Sequence, residues 1–135
     1  MSQENVEIVK AAFDAFNSKD AEALSRLWTE HGEWRPAFMG GGLVEGTVYY
    51  GKRGVAEFIA AQADTWETAT GTPVTIREFG DRVLVEVLVS AVGRIGGTPV
   101  ERTTWNVFEV HRGEIRSGRV YVSESEALEA VGLSE

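Results

Sequence analysis

At 135 residues, 43% hydrophobic and 25% charged, the chain has the size and make-up of one ordinary globular domain with enough length to bury a core. Its formal net charge of −8 opposes binding to phosphate backbones and to anionic bilayers, so neither nucleic acid nor a membrane is expected as a partner. The absence of cysteine removes disulfides, thiolate chemistry and cysteine metal sites together.

Two histidines, His31 and His111, offer no metal-ligand spacing. No apolar run approaches the ~20 residues of a membrane span, and the N-terminus is too polar for a signal peptide. The expectation is a cytoplasmic protein with no metal and no cofactor.

Three helices are predicted first. Ser2 can cap a helix whose apolar positions Val6, Val9, Phe13 and Phe16 recur at three and four, ending near Asn17. Asp20 reads as the N-cap of a second helix that carries Leu24, Leu27 and Trp28 on one face and stops at Gly32. A short strand follows in "GEWRP", where Glu33 and Arg35, two residues apart, share a face. Residues 37–50 are glycine-rich yet hold Phe38, Met39, Leu43, Tyr49 and Tyr50, too apolar for a solvated linker. A third helix spans about residues 52–68, with Val55, Phe58, Ile59, Gln62 and Trp66 near helical spacing.

After Gly71 the period changes to two. Residues 72–79, 82–95, 99–111 and 114–122 read as four strands, joined at Gly80-Asp81, Gly96-Gly97 and Arg112-Gly113. Ser123 with Glu126 forms a capping box for a short last helix that Gly132 stops. Segregated helices and strands indicate an α+β domain covering the whole chain. Helices laid across a curved sheet would enclose a pocket.

The segments "ENVEIVKAAFDAFNSKDAEALSRLW", "GEWRP", "YYGKRGVAEF" and "VHRGEIRSGRVYVSESEALEAVGL" resemble, in order and spacing, the SnoaL-like branch of the nuclear transport factor 2-like superfamily. That resemblance implies a cone-shaped α+β barrel: three N-terminal helices on the concave face of a curved, mostly antiparallel sheet, a short C-terminal helix, and commonly a dimer. Its members include ketosteroid isomerases, polyketide cyclases, limonene epoxide hydrolases and subunits that only bind. Their catalytic sets are not intact here. The isomerase general base falls on Arg35, which cannot act as one. The isomerase oxyanion tyrosine falls on Ala12, and its second donor falls near Asn106, whose amide can still donate. The last-strand acid of the cyclases and epoxide hydrolases falls on Val120. In the second long strand the epoxide hydrolases' arginine falls on Leu84, and only the acid remains, as Glu86.

Glu86 is the one charge within residues 83–91 and, if it faces a cavity, is the candidate general acid or base. Simple alternation puts Glu33 and Arg35 on the side of Glu86 and Asn106. Arg35 and Asn106 would then stabilise an anion and Glu33 would tune Arg35. Against this stands a plain ion pair at Glu33–Arg35 and a water-facing Glu86. Trp28, Trp34, Phe38, Tyr49 and Tyr50 are candidate ligand-binding residues, as are Phe58, Trp66, Leu88 and Phe108, and Gly118 would leave room in the cavity. Trp105, Val107, Arg119 and Tyr121 fall on the opposite side, where a homodimer would form. Two functions remain: a cofactor-free acid/base enzyme of isomerase, cyclase or hydrolase type acting on a small hydrophobic molecule, or a dimer that binds such a molecule unchanged.

Overall fold

The computed structural model describes residues 2–36, 48–97 and 99–132. Its elements run α1 (Ser2–Asn17), α2 (Ala21–Arg26), β1 (Trp28–Arg35), β2 (Tyr49–Tyr50), α3 (Gly51–Thr65), β3 (Trp66–Phe79), β4 (Arg82–Gly93), β5 (Pro99–His111), β6 (Glu114–Tyr121) and α4 (Glu124–Ala130). The strands make one curved, unclosed sheet in the order β2-β1-β6-β5-β4-β3. Strands β3 to β6 form the expected antiparallel meander. Beyond it, β1 pairs parallel with β6, and β2 adds an antiparallel edge.

Local chemistry accounts for the element ends. The Asp20 carboxylate accepts from the Ala23 amide at 3.0 Å and opens α2. Ser123 Oγ accepts from the Glu126 amide at 3.1 Å and opens α4. At the β5–β6 turn, Arg112 and Gly113 both take positive φ, 53° and 80°, as a two-residue type I′ hairpin requires. Gly51 stands where β2 turns into α3 at φ +69°, and an added Cβ would lie 2.1 Å from the Glu30 carbonyl oxygen. Only glycine fits that corner.

Two predicted helix ends shift. The second helix stops at Arg26, so Trp28 opens β1, and Gly32 and His31 lie inside that strand. Trp66 opens β3 rather than closing α3, with extended angles of φ −118° and ψ 137°. In both cases the tryptophan keeps its place in the core, so helical spacing alone could not reveal the change of element.

The sheet has an inner and an outer face. Val83, Val85 and Val87 of β4, Phe108 and Val110 of β5 and Ile115 of β6 project inward. They meet Val9 and Phe13 of α1, Leu24 of α2, and Val55, Phe58 and Ile59 of α3. On the outer face, α4 lays Ala127 and Val131 on Leu84 and Val107. The end of α1 is fastened to β3 by a two-way clasp at 2.8 Å in each direction. Asn17 Nδ2 donates to the Gly71 carbonyl, and the Gly71 amide donates to Asn17 Oδ1. No helix among the described residues is long and apolar enough to cross a membrane.

Gly118 has a different role from the one expected. It sits on β6 opposite both Trp34 of β1 and Phe108 of β5. Their rings occupy the room it leaves, stacked with centroids 6.0 Å apart and planes 1° from parallel. A Cβ there would lie 2.9 Å from both Phe108 Cδ1 and Trp34 Cε3. Gly118→Ala is therefore expected to lower stability by about 1–3 kcal/mol, the usual cost of overpacking a close-packed core. The check is a lower urea midpoint with unchanged slope.

Candidate functional site

A cavity of about 120 Å³ lies between the inner sheet face and α1–α3. That is many times the roughly 10–15 Å³ that admits one water, so an organic molecule fits. Its floor is Val87 and Val89 of β4, Thr104, Asn106 and Phe108 of β5, and Val120 of β6. The helices supply Ala12, Phe13 and Phe16, then Leu24, then Val55, Phe58 and Gln62. Trp28 and Trp34 stand at the β1 side, and Trp66, Ala69 and Gly71 at the β3 side.

Edge and face contacts lock most of these rings to one another. Trp34 meets Trp28 at 6.1 Å and Phe58 at 5.4 Å, both edge to face. Phe58 stacks on Phe16 at 5.9 Å, and Phe13 meets Phe108 edge-on at 5.9 Å. Each such pair contributes about 0.5–1.5 kcal/mol beyond its buried area, so the wall is set before any ligand arrives.

Three buried polar side chains interrupt the apolar lining: Thr104 at 1% exposure, Asn106 at 6% and Gln62 at 7%. Thr104 Oγ1 donates to Asn106 Oδ1 at 3.4 Å. With its oxygen so engaged, the Asn106 amide offers its N–H donors elsewhere. The indole nitrogens of Trp28 and Trp34 are buried with no hydrogen-bond partner among the described residues. Among those residues no Asp, Glu, His, Lys, Arg or Tyr side chain lines the cavity. No group of three or more His, Asp or Glu among them is placed to hold a metal ion.

Of the residues singled out from the sequence, Asn106, Trp28, Trp34, Phe58, Trp66 and Phe108 come together in this wall. Glu86 does not. It pairs with Trp105, whereas Asn106 pairs with Val85, so the two have opposite parity and Glu86 faces outward. There it accepts a hydrogen bond from Thr75 Oγ1 at 3.3 Å. Glu33 and Arg35 also face outward, opposite Ser117 and Arg119. They bond to each other at 3.0 Å with both side chains 44% exposed, a solvated ion pair of small energetic worth. Leu88 is on the outer face, Tyr50 is exposed at the edge, and Tyr49 packs on Phe58 behind the wall. Phe38 lies outside the described residues. Val107, expected at an interface, is covered by α4 of its own chain.

Gln62 and Thr104 escaped the sequence reading as site residues. Gln62 is the polar member of an otherwise apolar helical stripe with Val55, Phe58 and Ile59, and that break was its signal. Thr104 lies two residues before Asn106 and so shares its face.

This frame, helices on one face of a curved sheet around an apolar cavity, is that of nuclear transport factor 2 and ketosteroid isomerase-like proteins. Residues 9–118 match the SnoaL-like domain, and the chain belongs to that family. No curated protein matches the chain in sequence. Several solved structures share its fold. A ketosteroid isomerase-like fold protein of Catenulispora acidiphila, solved in complex with trimethylamine, is 23% identical over 94% of this chain and 93% of its own, with a TM-score of 0.76. A candidate polyketide cyclase of Xanthomonas campestris pv. campestris is 21% identical over 96% and 98%, with a TM-score of 0.75. SalBIII, an epoxide hydrolase/cyclase-like enzyme of pyran ring formation in the polyether salinomycin, is 22% identical over 91% and 93%, with a TM-score of 0.74.

Family positions divide in the same way. Ala12, Asn106 and Val120 do line the cavity, but Arg35, Leu84 and Glu86 do not. Glu86→Gln is thus expected to leave stability within about 0.5 kcal/mol, as for an ordinary surface change. It should also leave affinity for a cavity ligand within twofold. A tenfold loss, read by titration calorimetry, would put Glu86 in contact with the ligand after all.

Proposed function

We propose that the chain is a small-molecule-binding protein whose cavity holds a compact, largely aromatic or alicyclic molecule with a hydrogen-bonding oxygen at its buried end. One observation carries this reading: among the described residues the cavity wall is built of aromatic rings, aliphatic groups and neutral amides, with nothing that titrates near neutral pH. The Asn106 amide, with its oxygen engaged by Thr104, the Gln62 amide and the unpartnered indole N–H groups of Trp28 and Trp34 are the groups available to orient the ligand. Apolar contact supplies most of the affinity, on the order of 25 cal/mol per Å² of ligand and wall surface withdrawn from water.

A second reading, cofactor-free catalysis of cyclase or isomerase type, draws on the family and on Asn106. An amide donor placed in a dry cavity stabilises an oxygen on which charge develops, without exchanging a proton itself. Acid/base catalysis has less support, since Glu86, Glu33 and Arg35 all face away from the cavity. A homodimer through the outer face is proposed with either reading. Leu88 is 37% exposed there and Arg119 is exposed on β6, whereas Trp105 and Tyr121 already pack against the cluster that α4 covers.

The test uses 2-naphthamide as a neutral aromatic probe and quenching of the cavity tryptophans as the readout. Saturable binding is expected, with a dissociation constant flat from about pH 5 to 9. Asn106→Leu should weaken it by about tenfold, the upper range for one buried hydrogen bond. Absence of saturable binding, or affinity that titrates steeply near neutral pH, overturns the binding reading. For the catalytic reading, the decisive measurement is whether a small molecule that co-purifies with the protein is recovered unchanged or converted after long incubation.

A further inference from the structure

Lys19 does not line the cavity, yet its ammonium touches two residues that do. It lies in the turn between α1 and α2, held in the left-handed region at φ 60°. Its ammonium donates to the Ala69 carbonyl and sits 4.8 Å from the centroid of the Phe16 ring. Phe16 and Ala69 are both cavity-wall residues, and Thr70, the next residue of β3, is an exposed part of the lining. The exposed Lys19 thus holds its charge against the apolar wall from outside, next to an exposed residue of the lining.

Several other cations of this acidic chain are satisfied by carboxylates: Lys10 by Glu7, Arg26 by Glu22, Arg53 by Glu57 and Arg77 by Glu124. Lys19 has no ion-pair partner among the described residues. An ammonium has three donors, and Ala69 takes one. Partial burial pulls its pKa below the ordinary lysine value, because the charged form loses water there. An anion beside it would relieve that loss.

Resting on the cavity-binding reading, we infer that the ligand is amphiphilic: its ring system fills the cavity and an acidic group at its outer end, a carboxylate or a comparable oxyanion, is met by Lys19 at the Phe16–Ala69 seam. The chain's overall charge repels anions, so one local cation on the rim also selects the orientation in which an acid enters. The apolar part goes first and the acid stays at the mouth. This gives the two ends of the site different chemistries, neutral amides inside and one ammonium outside.

The test compares 2-naphthoate with 2-naphthamide, which have the same shape but differ in charge. Wild-type protein should bind the carboxylate more tightly. Lys19→Gln should weaken 2-naphthoate by about tenfold and leave 2-naphthamide within twofold, and Lys19→Arg should retain the preference for the acid. Circular dichroism and a thermal melt of each variant check the fold. Equal weakening of both probes would mean that Lys19 only ties the turn to β3, and unchanged affinity for both would mean that it never meets the ligand. Either result overturns the inference while leaving the cavity-binding reading intact. Failure of both probes to bind the wild type removes that reading, and this inference with it.

Discussion

The parallel pairing of β1 with β6 decides which chemistry reaches the cavity. Trp34 lies opposite Gly118, which in turn lies opposite Phe108, so three adjacent strands place two large rings and one hydrogen atom on the same inner row. Side chains alternate strictly along a strand, and a slip of one residue would bring Glu33 and Arg35 inside and send Trp34 out. The stacked pair prevents it. Trp34 and Phe108 fit together only over a residue without a side chain, and that residue is available in one register. Phe58, Phe13 and Trp28 then pack on this pair, and with them α3 and α1 are docked.

Much of the frame was legible in the sequence. Turn dipeptides located the hairpins, Asp20 and Ser123 announced the helices they cap, and the change from helical to alternating period divided the domain. The helix ends at Trp28 and Trp66 were not legible, because a tryptophan at the end of an apolar stripe satisfies the core equally well as the last turn of a helix or the first residue of a strand. The side on which Glu86 lies was illegible for another reason. Alternation fixes parity within one strand but not between two, and the segment joining β4 to β5 can bring Asn106 opposite either Val85 or Glu86. Pairing with Val85 separates the two candidate groups onto opposite faces. The cavity itself was partly readable: most of its aromatics were singled out, whereas Gln62 and Thr104 show their role only once α3 lies across the sheet.

The family's positions and the family's chemistry separate here. Of the positions on which the resemblance places catalytic groups, Ala12, Asn106 and Val120 occupy the cavity wall, and among these three only Asn106 is polar. An apolar, ring-lined cavity inside a chain of net charge −8 is a strong partition between interior and surface. Salt and pH act mainly on the outside, where the ion pairs are exposed. Such a scaffold can change what it recognises by exchanging a few neutral side chains without rebuilding its frame.

The Asn17–Gly71 clasp joins segments 54 residues apart, and one of its two hydrogen bonds is donated by the amide of a residue in the cavity wall. The end of α1 cannot swing away from β3 without breaking both bonds at once. Exchange of the Gly71 amide proton with deuterated solvent therefore records how often that seam of the wall breathes. A molecule resident in the cavity would slow that exchange, so a single backbone proton serves as a clock for occupancy, readable without knowing what the occupant is.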